Sequence, residues 1–133
     1  MYKKRYICNS FYHKYMKQTT DLVKTIVEGI REKKGRDIVT IDLHELDTEC
    51  KYYVICEGGS HSQVEAIAGS IYEYVHKEGG EKPIGVSGLR NTSWVVIDYA
   101  DVMVHVFMPE EREFYDLEHL WEDAPINRLP NID

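Results

Sequence analysis

The sequence predicts an α/β fold built on a single mixed five-stranded sheet packed with helices, and three observations predict it. The elements run helix, strand, strand, helix, strand, strand, strand, helix, an order that suits one mixed sheet better than a doubly wound nucleotide fold. The strand candidates are short runs rich in Val, Ile and Tyr, whereas the helix candidates repeat apolar residues at intervals of three and four. With 133 residues, 43% of them apolar and 29% charged, the chain suits one domain around one core of ordinary size.

The first helix is expected to start at Thr19 or Thr20, which suit its cap, and to bury Leu22, Val23, Ile26, Val27 and Ile30. Lys33, Lys34 and Gly35 make a favourable end for it. The β-branched run DIVTIDL, Asp37 to Leu43, predicts the first strand, and YYVIC, Tyr52 to Cys56, the second. In GGSHSQ, Gly58 and Gly59 permit a tight turn and Ser60 with Gln63 has the spacing of a capping box. A second helix follows, with Val64, Ile67, Ala68, Ile71, Tyr72 and Val75 as its buried stripe and Gly79 and Gly80 as its stop.

PIGV, Pro83 to Val86, is expected at a sheet edge, because proline cannot donate to a ladder. Trp94 to Asp98 and Val102 to Phe107 predict an antiparallel hairpin turning around Tyr99 and Ala100. Pro109 opens a last helix, Glu110 and Glu111 suit its positive end, and Phe114, Leu117 and Trp121 recur on one face. Pro125 and Pro130 are expected to end regular structure in a frayed tail. The domain therefore spans 19–124, followed by a tail over 125–133. Residues 1–18 are expected to form a flexible or non-native extension, Met16 offering a second start.

Charge narrows the choice of partner. The net charge is −7, but Met1 to Tyr15 holds four basic residues and no acid, so the remainder carries −11. Such a body is repelled by nucleic acid and attracted to a basic protein surface. No apolar run approaches a membrane span, and the start of the chain lacks the apolar centre of a signal peptide, which predicts a cytoplasmic protein. Cys8, Cys50 and Cys56 read as reduced thiols rather than a disulfide framework.

Chemistry-bearing patterns are sparse. Gly58 to Ser60 reads as a turn and helix cap rather than a phosphate cradle, since the P-loop pattern and the dinucleotide fingerprint are both missing. Asp98 and Asp101 read as acceptors for turn amides rather than a metal-binding pair. His105, between two valines on a strand, reads as hydrogen-bonded in place rather than catalytic, and the histidine spacings lack those of zinc sites. Trp94 shares a strand side with Val96 and Asp98, opposite Val95, Ile97 and Tyr99. Two readings stand for it: a core residue, or an amphipathic anchor on the side of the sheet that helices leave open.

The run GLRNTSWVVIDYADVMVHVFMPEEREFYDLEHLW, Gly88 to Trp121, closely resembles the C-terminal half of the ribosomal silencing factor (RsfS, or Iojap) family. Trp94, Asp98, Tyr99, Asp101, Val102, Val104 to Phe107, Arg112, Phe114 to Glu118, Leu120 and Trp121 fall on the shared pattern. Upstream, YYVICEGGSHSQVEAIAGSI resembles the family's strand, turn and helix, so the resemblance covers Leu22 to Ala124. Two positions depart from it: Lys51, where many members have aspartate, and Ala100, where many have glycine.

The resemblance implies a nucleotidyltransferase-like sheet without the catalytic acids. Gly59 and Ser60 echo the transferase turn, yet no Asp-x-Asp pair follows on the next strand. It further implies a translation repressor that is not an enzyme, uses no cofactor or metal, and binds the large ribosomal subunit through ribosomal protein L-fourteen, blocking the small subunit. Trp94, Asp98, Tyr99 and Asp101 are the partner-binding residues on this reading. A large-subunit assembly factor using the same docking site, or a nucleotide-binding transferase, are the alternatives. The resemblance also allows a homodimer when free, for which the sheet edge near Pro83 offers a surface.

Overall fold

Ser60 starts the helix that organises the domain. Its side chain accepts from the Gln63 amide at 3.1 Å, while Gln63 Oε1 accepts from Gly59 N at 2.7 Å, so the expected capping box forms one residue wider than the usual register. Gln63 Nε2 also donates to the carbonyls of Lys33 and Lys34, both at 3.1 Å, tying this helix to the end of the first. Those carbonyls are helix-end acceptors that would otherwise lack partners.

The computed structural model describes residues 8–132, with side chains from residue 19 onward. In chain order the elements are α1 (Cys8–Glu32), β1 (Arg36–Asp42), β2 (Tyr52–Glu57), α2 (His61–Gly79), β3 (Gly85–Ser87), β4 (Trp94–Asp98), β5 (Val102–Phe107), α3 (Pro109–Tyr115), α4 (Leu117–Leu120) and β6 (Ile126–Arg128). The strands form one mixed sheet in the order β3-β4-β5-β2-β1-β6. β2 and β5 run parallel, and the other neighbours are antiparallel.

The mixed sheet is as expected, with six strands rather than five. The sixth comes from the segment read as a frayed tail: Ile126 lies opposite Ile41 and Arg128 opposite Val39. Three residues between prolines are too short to show a period of two, so the pairing was invisible in sequence. α1 also departs from expectation, because Thr19 and Thr20 lie inside it rather than at its cap. Of the extension expected over 1–18, residues 1–7 lie outside the described residues, and the backbone from Cys8 is continuous with α1.

Two cores flank the sheet. On one side α1 and α2 cover Val54, Cys56, Val95, Ile97, Val104 and Val106, with Leu22, Ile26, Ile30, Ile67 and Ile71 packed over them. Burying each such side chain contributes about 1.5–3 kcal/mol. The helices approach closely at Gly29, where an added Cβ would come within 3.0 Å of the Ile71 Cα, and Ser70 Oγ donates to the Gly29 carbonyl at 2.7 Å. On the other side, Val39, Ile41, Leu43, Ile55 and Phe107 form a smaller core, covered by Leu117, Trp121, Ala124 and Ile126.

The last helix was expected to run continuously with Phe114, Leu117 and Trp121 on one face. It is broken in two by Asp116 in the left-handed conformation, φ 49°, which an aspartate adopts more readily than most residues. Leu117 and Trp121 still pack on the smaller core, whereas Phe114 is 79% exposed.

Candidate partner-binding surface

Register on the hairpin decides what each side chain can reach. Trp94 lies opposite Phe107, Val96 opposite His105, and Asp98 opposite Met103. Those six share the face away from α1 and α2. Val95, Ile97, Val102, Val104 and Val106 fill the larger core from the other face. Trp94 therefore stands on the side the alternation predicts. That side is not bare, however: Trp94 sits at the margin of the smaller core, half-buried, with its ring stacked on Phe107 at 5.0 Å and tilted against Tyr115 at 4.5 Å.

Its indole N–H is engaged within the fold. Trp94 Nε1 donates to His105 Nδ1 at 3.1 Å, a diagonal cross-strand contact. Accepting at Nδ1 requires the neutral tautomer with hydrogen on Nε2. His105 is 4% exposed, its ring lies 4.7 Å from that of Tyr53, and Nε2 has no partner among the described side chains. Burial pulls its pKa down from the ordinary 6.5 to about 4, so the imidazole stays neutral near pH 7. The hydrogen-bonded reading of His105 matches this geometry.

The loop before β4 sets where Trp94 begins. Gly88 has φ +91°, and a Cβ there would lie 2.0 Å from the Trp94 carbonyl oxygen, so the backbone permits only glycine at this point.

The four residues singled out by sequence do not converge. Asp98 lies at the far end of β4, about 13 Å along the strand from Trp94 at the usual rise per residue. Its Oδ1 accepts from the Ala100 amide at 2.8 Å, the turn role expected of it. Asp101 Oδ2 accepts from Thr19 Oγ1 at 3.3 Å. Both acids line a cavity of about 350 Å³ with Cys50, Tyr53, Met103 and Trp121. Tyr99 is 5% exposed and packs in the larger core, on the opposite face from Trp94, so it cannot serve as a second ring beside it.

Sequence reasoning did not place in the site Tyr115, whose ring meets Trp94, or the exposed apolar residues Phe114 and Leu120. Tyr115 is 46% exposed and touches Trp94, Phe114 meets Tyr115 edge-on at 5.0 Å, and Leu120, 66% exposed, adds apolar surface on α4. They are exposed where Asp116, in the left-handed conformation, ends α3, a backbone event that no apolar spacing records. Acids accompany them: Glu110, Glu113 and Asp116 line a concavity of about 480 Å³.

The floor of that concavity is an ion network. Arg112, 8% exposed, donates from Nη1 to Glu57 at 3.1 Å and from Nη2 and Nε to Glu118 at 3.0 and 3.4 Å. Burial lowers the guanidinium pKa, but the two carboxylates outweigh it and hold the group above its usual value. This explains the Arg and Glu of the motif as a structural clasp joining α3, α4 and β2.

Among the described residues, no group of three or more His, Cys, Asp or Glu side chains is placed to hold a metal ion. Cys50 and Cys56 are free and buried, and burial pushes the Cys56 thiol up to about 12. No described helix is long and apolar enough to cross a membrane.

Residues 16–133 match the profile of a family described as "Ribosomal silencing factor during starvation", RsfS. A Bacillus subtilis protein named ribosomal silencing factor RsfS is 36% identical over 108 residues, which cover 81% of this chain and 91% of that one. A mouse protein named "Mitochondrial assembly of ribosomal large subunit protein 1" is 28% identical over 101 residues, 74% of this chain and 44% of the mouse chain. A crystal structure from Chromobacterium violaceum superposes with a TM-score of 0.74 at 32% identity, covering 77% of this chain and 85% of the other.

Proposed function

This chain belongs to the RsfS family of ribosomal silencing factors, and on that footing we propose that it docks on ribosomal protein L-fourteen of the large subunit and blocks joining of the small subunit. Repression of translation then follows from occupancy alone, with no chemical step.

The observation that carries this reading is the aromatic surface around Trp94. With its N–H satisfied by His105, the indole offers ring carbon to a partner, held in one rotamer by Phe107 and Tyr115. A preorganised ring of this kind loses little entropy on binding and makes an effective anchor. Tyr115 and, against it, Phe114 extend it, and Glu110, Glu113 and Asp116 favour a basic partner. Asp98 and Asp101, at the other end of the hairpin, act as acceptors on the same partner, while Tyr99 supports the strand from the core. A patch of the standard size, about 800 Å² per partner, spans that length.

Light scattering of purified large and small subunits, mixed with and without the protein, tests the proposal. Suppressed joining that excess large subunit relieves is the expected result. Trp94→Ala is expected to fold with a stability loss of about 2 kcal/mol and to lose large-subunit binding. Phe114→Ala, at an exposed position, is expected to fold normally and to bind about tenfold more weakly. Unchanged affinity in both variants means that the face is wrongly assigned.

A second reading, assistance in large-subunit assembly through the same docking site, is favoured by the likeness to the mouse protein named for that process. It takes over if the protein cosediments with large subunits but leaves joining unchanged. Absence of cosedimentation removes both.

A further inference from the structure

On the helix-covered side of the sheet, α2 and β3 bound an open groove of about 320 Å³ that is separate from the Trp94 surface. Tyr72, Val86 and Leu89 wall it, each between 38% and 48% exposed, over a floor that includes Ala68 and Ile97. Glu65 and Glu73 stand along its α2 side, and its lining includes no basic residue. β3 is the outermost strand at this end of the sheet, with β4 as its one strand neighbour among the described residues, and its three residues are exposed. An edge of this kind presents backbone donors and acceptors to which another strand can add.

Gly69 gives the groove a direction of approach. It stands inside α2, where glycine is costly to the helix relative to alanine. Gly29 of α1 has an internal reason to be glycine, the close passage of α2. Gly69 has none, since an added Cβ would meet nothing within 4 Å, and the same holds at Gly85 on β3. Gly69, a glycine in the groove lining without an internal contact, suits the close passage of another chain's backbone, whereas Gly85, opposite Asp98, faces the other side of the sheet.

We propose that this groove is a second docking site, which takes an extended segment of a partner protein, alternating basic and apolar residues, as an added strand on β3. Its apolar side chains lie against Tyr72 and Leu89 and its backbone passes over Gly69, while Glu65 and Glu73 draw the basic segment to the groove by longer-range attraction. A second copy of this chain is the poorer occupant, because it brings a net charge of −7 and its own Glu65 and Glu73 to the same carboxylates. The site stands whether or not the Trp94 face binds the ribosome.

The test is an amide-resolved NMR titration of the full chain with a capped heptapeptide of alternating lysine and valine. Shifts confined to residues 65–73 and 84–89, with the Trp94 indole signal unmoved, are the expected result. Gly69→Leu, which fills the groove from an exposed helix position, is expected to weaken binding at least about tenfold while leaving the far-ultraviolet circular dichroism unchanged. Equal binding by a glutamate and valine peptide, shifts on the Trp94 face instead, or unaltered affinity in Gly69→Leu each overturn the proposal. So does sedimentation showing a dimer that Gly69→Leu dissociates, which would assign the groove to a second copy.

Discussion

His105 contributes a stability that depends on pH, and the sign follows from its surroundings. In the folded chain its ring is enclosed by Trp94, Tyr53 and Phe107 and titrates at about 4, against 6.5 when exposed. Between those values the unfolded chain binds the extra proton, so the contribution is complete above about pH 6.5 and is lost as pH falls toward 4. The loss is on the order of 3 kcal/mol. Urea unfolding at stepped pH is expected to show it as a difference between the parent chain and His105→Gln, whose amide can accept from Trp94 but cannot titrate. Parallel pH curves for the two would mean that His105 is not the titrating group. At this scale the sequence was informative about sides and poor about company. Alternation put Trp94 and Tyr99 on opposite faces, yet the family motif, which grouped them with Asp98 and Asp101, carries no record of which residues the hairpin separates.

The hairpin turn carries a strain of its own. Ala100 has φ 72°, a left-handed conformation that costs a non-glycine residue about 1–2 kcal/mol. After the entropy that glycine loses on folding, Ala100→Gly is expected to stabilise the chain by about 1 kcal/mol. Thermal unfolding checks it, and a lowered midpoint would show that the alanine methyl makes a contact worth more than the strain. The elements with strong periodicity were legible: α2 with its cap, the stripe of α1, and the hairpin strands within a residue of their ends. The elements that were not legible are those set by a single backbone event. Asp116 divides α3 from α4, and nothing in the apolar spacing of Phe114, Leu117 and Trp121 records that break.

For the molecule as a whole, the C-terminal segment is a structural member rather than an appendage. β6 pairs with β1, Leu129 N donates to the Ile38 carbonyl at 2.9 Å, and Arg31 Nη2 donates to the Pro130 carbonyl at 3.0 Å. Asn131 and Asp37 exchange two further hydrogen bonds, at 2.7 and 3.2 Å. Removing residues 125–133 is expected to cost on the order of 2–4 kcal/mol and to bare the β1 edge, so that aggregation rises with concentration. Denaturant midpoints together with static light scattering check both effects, and an unchanged midpoint would reduce the segment to a passive cover. The sheet was legible because its strands are apolar and β-branched, whereas this last strand is held by backbone pairing and hydrogen bonds that composition does not record.

The parallel pairing of β2 with β5 sets the order in which the chain can be assembled. Residue 52 lies beside residue 102, and α2, β3 and β4 fall between them in the chain. Closing a loop of that length carries an entropic cost, so a non-local pairing of this kind forms more slowly than local helices. Both proposed surfaces are built on β5: Trp94 rests on it, and the groove floor includes Ile97 of β4, which β5 holds in place. A chain in which this pairing has not formed, however helical, lacks the sheet on which both proposed surfaces are built.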